Sequence, residues 1–141
     1  MSHEILNPES LETPRGFNHG LLTSPGSRIL FVAGQTARRS DGQLAADGFV
    51  GQFGAALDAV LTVVQAAGGA PRHIGRLTIY VTDMEAYRGS LESLGEAYRA
   101  RMGRHYPAMT LVEVGSLVDP EALVEIEATA ALPATADGAI D

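Results

Sequence analysis

The 141-residue chain contains no cysteine and no lysine, and each absence removes a class of chemistry. Without a thiol there are no disulfides and no thiolate nucleophile. Without a lysine amine there is no Schiff-base anchor and no P-loop, whose lysine reaches the phosphates. Every side-chain cation other than histidine is therefore an arginine, and ten of them against seventeen Asp and Glu leave a net charge of −7. That balance repels a phosphate backbone, so no nucleic-acid partner is expected. No apolar run approaches the ~20 residues of a membrane helix, and Met1–Pro8 lacks the basic region and apolar core of a signal peptide. A cytoplasmic protein with no membrane partner is the expectation. The four histidines, at 3, 19, 73 and 105, share no spacing on a common element. No metal site is expected, and no cofactor is assigned.

With 45% hydrophobic and 19% charged residues, the composition is that of a globular chain, and the length suits one domain with a real core. Apolar side chains at Phe49, Val50, Phe53, Ala56, Leu57, Val60, Leu61 and Val64 mark one face of a helix over 49–67, ended by Gly68-Gly69 and Pro71. A second helix is predicted from Thr82-Asp-Met-Glu85, which reads as a capping box. It carries Tyr87, Leu91, Leu94, Tyr98 and Met102 inward and stops at Gly103. Pro25-Gly26 reads as the turn of a hairpin between a strand near 18–24 and the run Ile29–Ala33. Further strands are predicted at Leu77–Val81, Met109–Val114 and Leu123–Ala131, the last two joined through Asp119-Pro120. Two helices can cover only one face of such a sheet, and strands joined through a helix imply parallel neighbours. Because Ile29–Ala33 and Met109–Val114 are apolar on both alternating sets, the second face needs a cover as well, which implies an oligomer. Residues 8–16 and the tail 133–141 are expected to be loose.

Chemistry concentrates in the last strand. Glu125, Glu127 and Thr129 share one face, opposite Val124, Ile126, Ala128 and Ala130, because side chains alternate with period two. The apolar set belongs against the helices, which sends two carboxylates, about 7 Å apart at ~3.4 Å per residue, toward the face a partner covers. A carboxylate there is costly unless paired, hydrated or functional. It is either a general base that orients water or part of an interface ion pair. Glu113 shares the face of Met109 and reads as structural. Phe17-Asn18-His19-Gly20 enters the first hairpin strand, with Phe17 as a pocket wall and His19 as a donor, acid or base, or else an ordinary strand-edge residue. Gly34-Gln35 closes a buried strand where a glycine permits close approach of ligand and backbone, or simply a turn. Arg38 and Arg39 sit in a Ser-Asp-Gly loop and read as solvated, with a substrate cation as the other reading; Tyr80, Tyr98 and Tyr106 read as core or interface aromatics.

Several segments together resemble the RidA (YjgF) family of reactive-intermediate deaminases: Gly34-Gln35, Tyr80–Asp83, Glu96–Tyr98, Tyr106-Pro-Ala108, Val112–Val114 and Glu125-Ile-Glu-Ala128. The resemblance covers about 17–132. It implies an α+β, chorismate-mutase-like sheet with two helices on one face, assembled as a homotrimer with small-molecule pockets at the subunit interfaces. It also implies Glu125 as the catalytic, water-orienting residue, with Phe17, His19, Gly34, Gln35 and Met109 around the substrate. In the family's Pro-Ala-Arg run an arginine grips the substrate carboxylate; here Met109 stands in its place, and Phe17 replaces a tyrosine. A planar bidentate clamp is thereby missing, worth ~1.5–3 kcal/mol. The expectation is a RidA-like protein acting on an imine, enamine or related metabolite other than the usual 2-imino acids. The alternative is a trimer that binds or senses a small ligand without turnover.

Overall fold

The computed structural model describes residues 3–134, so most of the tail expected to be loose lies outside the described residues. Strands β1 (His3–Leu6) and β2 (Gly20–Thr23) form a two-stranded antiparallel unit. Strands β3 (Arg28–Gln35), β4 (Ile74–Val81), β5 (Ala108–Glu113) and β6 (Val124–Leu132) form a second sheet in the order β3-β6-β4-β5. β6 is antiparallel to both its neighbours, whereas β4 and β5, joined through helices, run parallel as expected.

Helix α1 (Phe49–Ala66) lays its predicted stripe on this sheet, with Ala56, Leu57, Val60 and Val64 wholly buried. Each such side chain removed from water contributes roughly 1.5–3 kcal/mol when it is as large as Val or Leu. By length and mean composition α1 is apolar enough to cross a membrane, although Gln52, Asp58 and Gln65 interrupt any continuous apolar run. Its apolar face is instead taken up by the core that β4 and β6 complete with Ile74, Leu77, Ile79, Val124 and Ile126.

Four sequence expectations are corrected. β2 does not fold back on β3: the Pro25-Gly26 turn exists, with Gly26 at φ 79° and Ser27 N donating to Ser24 O at 3.3 Å, but β2 pairs with β1. The second helix is two helices, α2 (Met84–Arg88) and α3 (Leu91–Met102), broken at Gly89-Ser90, so three helices rather than two accompany the sheets. The cap is Asp83, whose carboxylate accepts from Glu85 N and Ala86 N, and not Thr82. Leu91, predicted inward, is 56% exposed because that break lifts the start of α3 from the core. Gly103, at φ 62°, ends α3 as predicted.

Candidate functional site

From Val124 to Ala130 β6 alternates, with buried Val124, Ile126, Ala128 and Ala130 toward the helices and half-buried Glu125, Glu127 and Thr129 on the other face. Its start is held by Gln52, a 1% exposed side chain on the inner face of α1. Gln52 Oε1 accepts from Leu123 N at 2.8 Å and its Nε2 donates to Glu121 O at 3.2 Å, fixing the backbone just before Glu125. Sequence reasoning missed this residue, although its signal is present: a polar side chain three residues after Phe49, on the stripe that is otherwise apolar.

Opposite Glu127, next to Glu125 on the same face, β3 carries one extra residue between Val32 and Gln35, where its register with β6 shifts. The bulge withdraws backbone groups of Ala33 and Gly34 from the ladder, a device that recurs beside functional sites. Gly34 lies directly under the Glu125 side chain. A methyl group placed on it would overlap the carboxylate and stand 2.8 Å from Glu125 Cδ. Glycine is therefore required here for close approach, and it is Glu125 that approaches. The Glu125 carboxylate makes no hydrogen bond or ion pair among the described residues, while Gln35 Nε2 donates to Ala33 O at 3.2 Å. Next along the same face, Tyr80 Oη donates to Glu127 Oε2 at 3.3 Å. Partial desolvation, together with the charges of Glu127 and Glu125, pushes the Tyr80 phenol above its ordinary value and keeps it a donor. Glu127 is thus paired and Glu125 is left available.

Met109 lies elsewhere. On β5 it stands beside Leu77, which in turn is level with Ala128, so Met109 points to the helix side of the sheet and away from Glu125. There it lines a cavity of about 300 Å³ between β5 and α3, with Phe53, Leu94, Tyr98, Tyr106 and Leu111 among its walls. Tyr98 and Tyr106 stack at 5.4 Å, and Tyr98 Oη donates to His105 O at 2.6 Å. Burial holds the Tyr98 phenol well above its ordinary range.

Phe17 and His19 pack edge to face at 5.3 Å. His19 Nε2 bonds Glu12 O at 2.7 Å, and its backbone N–H donates to Asn7 Oδ1, so the ring braces the loop before β2. It borders a second cavity, of about 330 Å³, with Thr129 and Arg76, at the opposite end of the open face from Gly34. Within one chain, then, the structure brings Gly34 to Glu125 but not Gln35, which is level with Ile126 and lines a cavity against Ala55 and Ala59 of α1; His19, Phe17 and Met109 also lie apart from Glu125. Arg38, read as solvated, is instead clamped by both carboxylate oxygens of Asp119 at 2.8 Å and by Glu121 at 2.9 Å, which ties its loop to the turn before β6. Glu113 accepts from Met84 N at 2.8 Å and serves α2. No group of three or more His, Asp or Glu among the described residues is placed to hold a metal.

The face bearing Glu125 also exposes Ile29 (51%) and Phe31 (78%), neighbours on the edge strand β3, and Val112 (40%) on the opposite edge strand β5. Large apolar side chains grouped on one sheet face mark an interaction surface.

The family model described as Endoribonuclease L-PSP matches residues 10–132. Among solved structures, the chain is similar to YyfB, a Rid-family protein of unknown function from Yersinia pestis. Identity is 30% over 94% of this chain and 100% of that one, with a TM-score of 0.83. It is also similar to the YjgF gene product of E. coli, at 26% identity over 82% of this chain and 87% of that one, TM-score 0.64. E. coli TdcF, solved with bound serine, gives 26% identity over 86% and 90% of the two chains, TM-score 0.63.

Proposed function

Because the chain belongs to the endoribonuclease L-PSP family, the RidA/YjgF group, we propose that it works as a homotrimer that hydrolyses the C=N bond of an apolar imine or enamine in pockets shared between subunits. The observation that carries the reading is the Glu125 carboxylate, half-buried, unpaired among the described residues and seated over Gly34 beside a bulged backbone. A carboxylate kept in that condition can accept a proton from water. Water adds to the imine carbon as Glu125 takes its proton. Glu125 passes that proton to the nitrogen to give the carbinolamine R₂C(OH)NH₂, then takes the hydroxyl proton as the carbonyl forms and delivers it to the departing nitrogen, so that R₂C=NH and H₂O become R₂C=O and NH₃.

The opposed placement of Glu125 and Met109 supports a shared pocket. One chain offers two different patches, and patches that differ join head to tail, a heterologous contact that closes into a ring. The exposed apolar residues Ile29 and Phe31 on the face that bears Glu125 favour its burial by a neighbour. TdcF carries serine, an α-amino acid; with Met109 at the floor of its cavity this chain lacks a cation there and suits a body without a carboxylate next to the reacting carbon. An RNA-cleaving role is disfavoured by the net charge of −7 and the two glutamates on the open face. The second reading, binding without turnover, is favoured by the cavity of one chain, whose walls include no carboxylate or histidine.

The test is ammonia release from 2-phenylethanimine, generated in situ by an amine oxidase, against small 2-imino acids generated in the same way. Acceleration of the phenyl imine is expected, with Glu125→Gln lowering it by about 10²–10⁴-fold. Unchanged turnover in that variant would remove Glu125 from the chemistry. Tight binding with no acceleration by the wild type would establish the second reading.

A further inference from the structure

We infer that Arg99 supplies this cavity with the anion-binding cation that Met109 does not, moved from the strand floor to the mouth, so that the ligand is an apolar-bodied monocarboxylate. The inference rests on the reading above only in taking the Met109 cavity as the ligand's place. Of the residues lining that cavity, Arg99 is the one that carries a charge. Its neighbours are committed elsewhere: Arg101 is paired with Asp58 at 2.8 Å, and Arg88 is drawn to Glu85 at 3.8 Å. Arg99 makes no ion pair or side-chain hydrogen bond among the described residues, which leaves its fork of donors for a ligand.

A second observation fixes where that fork lies. Gly95 stands one turn earlier on α3, in the helix interior, where glycine is unfavourable relative to alanine. Side chains on a helix lean toward its N-terminus, and a methyl group on Gly95 would stand 3.0 Å from Arg99 Nη1 and 3.7 Å from its Cζ. The guanidinium therefore rests on the bare backbone of Gly95, which lines the same cavity. The glycine gives up helix stability and keeps the cation at the cavity wall. The result is a pocket with reversed polarity. The floor, at Met109, Leu111 and Ile79, takes an aromatic or aliphatic body, while a carboxylate remains at the mouth in a bidentate pair with Arg99.

The probes are 3-phenylpropanoate and its primary amide, titrated calorimetrically into the full-length oligomer. Wild type should bind the acid about ten- to a hundredfold more tightly than the amide. Arg99→Gln should abolish that ratio without changing the amide's affinity, and Arg99→Lys should keep part of it. Gly95→Ala, which strengthens the helix, should lower the ratio while raising thermal stability, a combination that general damage does not produce. An acid-to-amide ratio unchanged in Arg99→Gln, or no binding of either probe by wild type, would overturn the assignment. Either result leaves hydrolysis by Glu125 standing, because that is read from ammonia release and not from binding.

Discussion

Replacing Gly34 by alanine separates the catalytic arrangement from the stability of the fold. The added methyl would overlap the Glu125 carboxylate and lie 2.8 Å from Cδ, and its three nearest heavy atoms all belong to Glu125. Against a rigid neighbour such overpacking costs about 1–3 kcal/mol. Here the neighbour is the free end of a half-buried side chain that can turn to another rotamer, so the cost falls to roughly 1 kcal/mol or less. The backbone at Gly34 does not lie in the left-handed region, so alanine fits it and recovers about 0.4–1 kcal/mol of unfolded-state entropy. The two effects nearly cancel, and Tm should stay within about 5 °C of wild type. Turnover should fall by about 10²–10⁴-fold, because the carboxylate has left its place over the bulge. The assay is imine-dependent ammonia release beside thermal unfolding, with sedimentation confirming an unchanged assembly. If Gly34→Ala kept turnover within about twofold of wild type while Glu125→Gln lost it, the close contact would have no part in catalysis.

Gln52→Leu leaves Leu123 N and Glu121 O without their partners in a part-buried place and should cost about 1–3 kcal/mol in urea unfolding. A loss below a few tenths would show that water replaces the amide. Burial lowers the affinity of His3 and His73 for a proton, the charge of Arg72 adding to the effect at His73. The unfolded chain therefore binds more protons than the native one below about pH 6.5, and stability present above that pH is lost as acid is added. His3 stacks on His105 at 6.1 Å with a buried, unpartnered Nδ1, so His3→Phe should lessen the difference in denaturant midpoint between pH 7.5 and pH 5. An undiminished difference would place the titration elsewhere.

Much of the frame was legible because periodicity is a local property. The stripe of α1 and the alternation of β6 follow from 3.6- and 2-residue repeats, and both faces of β6 lie as the residue types require. Pairing was not legible, because a turn signal fixes backbone direction and not which ladder follows. Pro25-Gly26 makes its turn, yet β2 goes to β1, a partner fourteen or more residues back. The face of Met109 could not be read, since both alternating sets of β5 are apolar and only the pairing of Met109 with Leu77 turns it to the helix side. The commitment of Arg38 to Asp119 depends on residues 81 positions apart, which no loop motif reveals. Gly34 was expected to admit a ligand close to the backbone; what approaches it in the chain is Glu125 itself, which a reading of β3 alone does not reveal.

The central claim is that Glu125 of one subunit and the Met109 cavity of its neighbour make one working pocket. Mixed oligomers of Glu125→Gln and Met109→Trp, the second filling the cavity, test it most directly. Each variant alone should be inactive. Refolded together in equal amounts they should recover roughly a quarter of wild-type ammonia release, since one pocket in four then joins two intact halves across a heterologous contact. No recovery above the separate variants, with mixed assembly verified by mass, would contradict the account.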